Sequence, residues 1–340
     1  MLELDDINDE WAFFMESGKC VDNIHKETIT SKIPKCGDIY ISTKTKIVYL
    51  NKSIDLFDIF WKLDIIDYQT MSNGIIKKQI KINSVCQEEV NNIEYNLSKY
   101  KYTNSYIINY INNPDGRVKF KDVRKVSIGL CKKDLINYRT KQKGAFYNCF
   151  VIILRIKIDE KYNEYHVKVF NTGKLEIPGI KNDNELNIIL ETVLYNFKNH
   201  MLDLKRTDYT ETVLINSNFD CGFYLDRNKL FNILKTKYNI QSVFDPCSYP
   251  GIQCRIFFDK SDELSTECTL SYYGKVSFMI FRTGSVLIVG KCNMEVLFKI
   301  YEHVKVILHS EFKEIYEMDK VKVEKNTTKK KIKKKIQIIV

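Results

Sequence analysis

The chain has 340 residues, of which 44% are hydrophobic and 28% charged, enough to bury the core of one large domain or two small ones. Its apolar runs fall far short of the roughly 20 residues of a membrane-spanning helix, and its acidic N-terminus is unlike a secretory signal. No two of the ten scattered cysteines are separated by two residues, the spacing typical of zinc sites and redox dithiols. We therefore expect no metal, no disulfide and no cofactor. These features predict an intracellular protein without a membrane segment.

The net charge of +10 is unevenly distributed along the chain. Lysines crowd the C-terminal segment 317–340, which we predict to be disordered because it combines like charge with few apolar residues. The remaining body is only mildly basic. Net charge alone therefore does not establish binding to nucleic acid.

In chain order, an N-terminal extension over 1–35 precedes a strand over 38–50 and an amphipathic helix over 54–66. An insert of about 72–142 follows, too long for an ordinary loop, and its alternating apolar residues predict added strands, with a helix left open. After a strand at 150–156, a hairpin and a long helix over 183–200 complete a first unit, 36–204.

The rest of the chain repeats this order over 205–316. A strand over 211–221 and a helix over 226–238 lead to further strands and to a long amphipathic helix over 293–312. Two hairpins align without a gap: VKVFNTGKLEIPG at 167–179 and FMIFRTGSVLIVG at 278–290. Each contains a Phe, then a Thr-Gly turn whose glycine can adopt the positive φ of a tight hairpin.

Two such units predict an α+β fold: a pseudo-twofold saddle in which both repeats share one continuous, curved antiparallel sheet. The helices would pack on the convex face, and the first repeat would carry the large insert. The other face of the sheet would then be left open for a ligand.

The duplicated hairpin, the Tyr249-Pro250-Gly251 opening of a strand and the closing helices together resemble the TATA-box-binding protein, in the diverged form carried by large DNA viruses. The resemblance covers about 36–66 and 143–315. It implies a non-enzymatic factor that binds AT-rich promoter duplex through the minor groove and bends it.

The resemblance also implies phenylalanine wedges between base steps at both ends of the sheet. Phe170 and Phe281 occupy the second wedge position of each half. The first wedge position falls on Tyr249 in the second half. In the first half it falls near Cys149, or on Phe150 after a shift of one residue.

At the centre the family places one asparagine in each half, to meet the minor-groove acceptors; Asn216 and, in the first half, Thr43 occupy these positions. Phosphate contacts are expected from cations at matching or adjacent rim positions: Arg155, Arg255, Lys174, Lys181, Arg282 and Lys291. If all six engage, the log-log salt slope of binding should be about −5. Lys168, Pro178 and Val289 depart from the family's floor residues, so strict preference for a TATA sequence is not expected.

Two other functions stay open. The fold could serve as a protein-interaction module without sequence-specific DNA binding, or as an enzyme using a similar sheet, although no catalytic motif is present. For the DNA-binding reading, the expected partners are a general transcription factor B-like protein and RNA polymerase, with the chain monomeric. The expected location is the host nucleus or a cytoplasmic viral factory, with packaging in the virion left open.

Overall fold

The computed structural model describes residues 33–136, 146–266 and 273–317. Within these ranges the strands form one 13-stranded sheet in which every pairing is antiparallel. The predicted α+β class, with two repeats sharing a continuous sheet, is confirmed. The predicted extension and tail lie outside the described residues over 1–32 and 318–340.

The first half of the chain contributes seven strands and four helices to the described structure. They are β1 (Tyr40–Leu50), α1 (Leu56–Lys62), β2 (Gly74–Ser84), α2 (Gln87–Ser98), β3 (Thr103–Asn112), β4 (Phe120–Gly129), α3 (Lys132–Ile136), β5 (Cys149–Ile158), β6 (Lys161–Phe170), β7 (Lys174–Ile180) and α4 (Asp183–Phe197).

The second half contributes six strands and three helices, again within the described ranges. They are β8 (Arg206–Asp220), α5 (Arg227–Thr236), β9 (Gln241–Val243), β10 (Ile252–Phe258), β11 (Leu264–Ser265), β12 (Gly274–Ile280), β13 (Ser285–Gly290), α6 (Met294–Ser310) and α7 (Phe312–Ile315).

The two repeats have the same strand order and meet where β1 pairs with β8. Outward from this junction the first repeat runs β7, β6, β5, β2, and the second runs β13, β12, β10, with β9 pairing β10. Strand β2 occupies the place in the sheet order that β9 has in the second repeat, so the strands of the first repeat without a counterpart there, β3 and β4, follow Ser84. Strands β4 and β3 extend the sheet at that end, as predicted for the insert.

The long helices begin where asparagine side chains accept hydrogen bonds from the first turn. Asn293 accepts from the backbone N–H of Val296, and Asn182 accepts from that of Glu185. None of the described helices is both long and apolar enough to span a membrane.

Each repeat has its own hydrophobic core between the sheet and its helices. Phe60 of α1 and Phe197 of α4 pack edge-to-face on Phe150 in the first core, while α6 and α7 cover the second core. Apart from α3, the helices of the described ranges lie on one face of the sheet. The α3 segment packs against the opposite face.

Candidate nucleic-acid interface

The face of the sheet opposite the long helices is formed by alternate residues of each strand. In β13, Val286 and Ile288 are buried in the second core, so Leu287 and Val289 point to the open face. In β6, Val167 and Val169 are buried, so the alternate side chains, Phe170 among them, point the same way. This open face is the candidate interface.

The predicted central pair lies at the junction of the repeats. Thr43 of β1 is the direct cross-strand partner of Asn216 of β8. The amide oxygen of Asn216 is buried and has no hydrogen-bond partner within the described part of the chain. A buried polar atom without a partner is costly, which makes this amide a candidate for ligand contact.

At the second-repeat end of the open face, two predicted wedges lie side by side. The ring centroids of Tyr249 and Phe281 are 5.8 Å apart, at an interplanar angle of 58°. Gly251 permits this packing: a Cβ there would approach Phe281 Cε1 at 3.0 Å and Tyr249 Cε1 at 3.1 Å. The pair therefore presents one aromatic surface beside a glycine.

At the first-repeat end, the predicted wedge Phe150 is wrong. Its side chain is fully buried between Phe60 and Phe197, on the helix side of the sheet. The alternation of strand side chains explains this, because Phe150 has the same facing as buried Ile152 and Leu154. The Phe150 side chain is part of the first core and cannot contact a ligand on the open face.

Strand pairing identifies a different residue as the counterpart of Tyr249. Cys149 pairs with Phe170, and Ile252 pairs with Ile280, the residue before Phe281. Counted from the two phenylalanines, Cys149 therefore corresponds to Gly251, and Tyr147 corresponds to Tyr249. Tyr147 is 55% exposed, and its ring centroid lies 3.7 Å from the ammonium of Lys81. The sequence analysis missed this residue.

Comparison with known proteins identifies a curated relative and a similar solved structure. No model of a known protein family matches the sequence. A curated protein of Acanthamoeba polyphaga mimivirus, named "TATA-box-binding protein-like", is 24% identical over 204 residues, which is 54% of this chain and 54% of that protein. The predicted resemblance to the TATA-box-binding protein is confirmed. The chain aligns with about half the length of that relative.

A solved structure, the "Methanococcus jannaschii TBP", is also similar to this chain. The similarity covers 81% of this chain and 99% of that chain, with 12% sequence identity and a TM-score of 0.42.

The floor of the open face differs between the repeats. In the second repeat, Met279 of β12 pairs with Leu287 of β13. At the corresponding place in the first repeat, Lys168 pairs with Glu176, and their side chains form an ion pair at 2.6 Å. The second half therefore presents an apolar floor, and the first half a charged one.

The predicted phosphate contacts fall into distinct environments. Lys181 and Arg255 are exposed, and no ion pair is found for either side chain in the described ranges. Lys174 lies over the Phe170 ring, 4.7 Å from its centroid. Arg282 forms a two-bond pair with Glu317, and Lys291 bonds Glu211, which raises the pKa of that lysine.

Arg155 does not lie at the exposed rim, where the sequence analysis placed it. Only 6% of it is exposed; its guanidinium donates to the carbonyl oxygen of Thr70 at 2.9 Å and lies 4.4 Å from the Tyr68 ring centroid. Counted from the paired phenylalanines, the counterpart of Arg255 is Ile153, two residues earlier. The two arginines therefore only looked equivalent in sequence.

The open face of the first repeat is also partly covered, which the sequence analysis did not predict. Cys131, just before α3, packs against Ile76 and Ile153, and α3 is anchored there by an ion pair between Asp134 and Lys77. In the described ranges, no cluster of three or more His, Cys, Asp or Glu side chains could hold a metal ion.

Proposed function

We propose that the protein is a DNA-binding transcription initiation factor that binds AT-rich promoter duplex through the minor groove and bends it. The open face of the sheet is the DNA-binding surface. Phe281 and Tyr249 act as wedges at one end, Phe170 and Tyr147 act at the other, and Asn216 and Thr43 contact base edges at the centre.

The observation that carries this proposal is the open face of the second repeat. It combines an apolar floor, Met279 and Leu287, with the adjacent rings of Tyr249 and Phe281 and with the Asn216 amide oxygen, for which the described residues provide no hydrogen-bond partner. A minor-groove ligand that wedges base steps requires flat apolar side chains, because they must offset an unstacking cost of a few kcal/mol per step. The surface meets this requirement.

The proposed role assigns no catalysis to the chain. Its partners are duplex DNA, a general transcription factor B-like protein and RNA polymerase, the last two on the helix-covered face. The protein would act as a monomer in the host nucleus or in a cytoplasmic viral factory. The resemblance supports these assignments.

Binding and bending of a doubly labelled AT-rich duplex test the proposal. The substitution Phe281→Ala should abolish most of the bending, since it removes one wedge and also the ring against which Tyr249 packs. The matched control is Phe298→Ala, which removes a 48% exposed phenylalanine from α6 on the other face. If both variants bend the duplex as the unsubstituted chain does, the open face is not the DNA-binding surface.

A second function, a protein-interaction module, is favoured by the first repeat. The Lys168–Glu176 ion pair and the anchored α3 place charges and chain where a groove floor would need apolar contact. A chain ending at Met318 separates the two functions, because it lacks the basic tail. If this chain binds no duplex at any salt concentration, the interaction module replaces the DNA-binding factor.

A further inference from the structure

The first repeat lacks the rim arginine of the second repeat. Arg255 is exposed on the open face of β10, in cross-strand register with Ser277. The corresponding pair in the first repeat is Ile153 and His166. The first-repeat sheet therefore supplies no arginine where the second repeat offers one to a phosphate.

The segment 130–136 lies over this position. Asp134 accepts two hydrogen bonds from the ammonium of Lys77, at 2.7 and 2.8 Å, and one from the backbone N–H of Cys131. Glu164 of β6 accepts the backbone N–H of Lys132 at 2.9 and 3.0 Å. These bonds fix the segment between β2 and β6, so the side chains that it carries are held at a defined place.

Each repeat has a cavity at this place. The first-repeat cavity, about 590 Å³, is lined by Lys132, Lys133, Arg155, His166 and Glu164 among others. The second-repeat cavity, about 460 Å³, is lined by Arg255, Ser277 and Lys235 among others. The two cavities share one repeat-related position, His166 in the first and Ser277 in the second, and both are lined by cations, although the cations come from different elements.

The first-repeat cavity has an excess of positive charge. In the described ranges neither Lys132 nor Lys133 has an ion-pair partner for its ammonium group, and both are exposed. Both oxygens of Glu164 already accept the Lys132 backbone N–H. Burial, with Lys133 and Lys77 nearby, lowers the pKa of His166 to about 4, so its ring is neutral at physiological pH. An anion would be attracted here.

We propose that Lys132 and Lys133, with Arg155 and His166 at the floor of the cavity, form the first repeat's binding site for a backbone phosphate of the bound duplex. The insert thereby replaces the rim arginine that the sheet has lost. This inference rests on the proposed function, because the phosphate is delivered by DNA lying along the open face.

The test compares Lys132→Gln/Lys133→Gln with Arg117→Gln/Lys119→Gln in the full chain. Both variants lose two exposed cations from the insert, but only the first pair lines the cavity. Duplex binding is measured across a salt series. The cavity variant should show a log-log salt slope less steep by about 2, as expected for the loss of two phosphate contacts. The control should keep the slope of the unsubstituted chain.

A second readout follows the His166 ring by NMR titration. Duplex DNA should raise the His166 pKa, because a phosphate stabilises the protonated ring, and the cavity variant should lose this increase. Equal salt slopes in both variants, with duplex still bound, overturn the inference alone. The inference is also overturned if inorganic phosphate raises the His166 pKa but duplex DNA does not. Failure of the unsubstituted chain to bind any duplex overturns both proposals.

Discussion

Lys78 carries a fully buried ammonium group in the first core. It donates a hydrogen bond of 2.7 Å to the carbonyl oxygen of Leu63 and lies 5.1 and 5.0 Å from the ring centroids of Phe60 and Tyr100. Burial lowers its pKa from 10.5 to about 8. Between these two pH values the unfolded chain binds a proton that the folded chain has released, so the contribution of Lys78 to stability rises with pH.

We therefore predict a pH-dependent difference between the unsubstituted chain and Lys78→Met. From pH 8 to 10.5, the free energy of unfolding of the unsubstituted chain should rise relative to that of the variant by roughly 1–3 kcal/mol, since one pKa unit corresponds to 1.36 kcal/mol. Urea unfolding at several pH values measures this. Lys52→Met, at an exposed lysine, is the control and should show no such divergence. Parallel pH profiles for Lys78→Met would contradict the prediction.

The Lys168–Glu176 pair leads to a second prediction at this scale. Replacing it with the second-repeat pair, as Lys168→Met/Glu176→Leu, should tighten duplex binding. The bound duplex would then no longer cover two charged side chains, whose desolvation costs free energy. Glu176→Leu alone should instead steepen the log-log salt slope by about one, since Lys168 is released to meet phosphate. Fluorescence anisotropy across salt measures both. Weaker binding by the double variant would show that this surface contacts something other than DNA.

At the scale of elements, the Asp159-Glu160 turn that joins β5 to β6 carries strain. Both residues have positive φ, 47° and 62°, which a side chain makes unfavourable. Glu160→Gly should raise the free energy of unfolding by about 1 kcal/mol, because the relief exceeds the loss of an exposed ion pair with Lys157. Urea unfolding tests this against Glu160→Gln, which removes the charge and keeps the strain. Equal stabilities would contradict it.

The hairpins of the two repeats show what the sequence could and could not predict. The two Thr-Gly hairpins were recognisable because a glycine at positive φ follows each wedge phenylalanine, and both glycines adopt that conformation. Register was not recognisable, because Arg155 and Arg255 align in sequence but pair with Glu164 and Ser277, at different distances from Phe170 and Phe281. Aligning the arginines thus hid Tyr147.

The insert shows a similar division between what was predictable and what was not. Alternation of apolar residues predicted added strands, and β3 and β4 extend the sheet. The position of α3 was not predictable, because five residues with no buried side chain carry no amphipathic pattern. Its place on the open face depends on contacts with Lys77 and Glu164, which are distant in sequence and adjacent only after the sheet has formed.

At the scale of the whole molecule, the two repeats share a sheet but not a surface chemistry. The second repeat offers an apolar floor with a packed aromatic pair, while the first offers an ion pair, an anchored insert and rings that each lie near a lysine. A duplex lying along the sheet would therefore meet two unlike ends. The bound orientation should follow from this difference, because reversing the duplex exchanges the base steps that each end must unstack.

The last prediction is that bending is unequal at the two ends. Phe281→Ala should reduce the bend more than Phe170→Ala. The Phe281 ring packs against the Tyr249 ring, whereas the Phe170 ring lies beneath the ammonium of Lys174. In the first repeat, Tyr147 occupies the position that corresponds to Tyr249. Fluorescent base analogues placed at each terminal step of an AT-rich site report unstacking separately. Tyr147→Ala should reduce unstacking at the first-repeat end alone, and exposed Phe146→Ala serves as its neighbour control. Equal unstacking at both ends, lost equally in both phenylalanine variants, would show that the asymmetry of the sheet is not transmitted to the DNA.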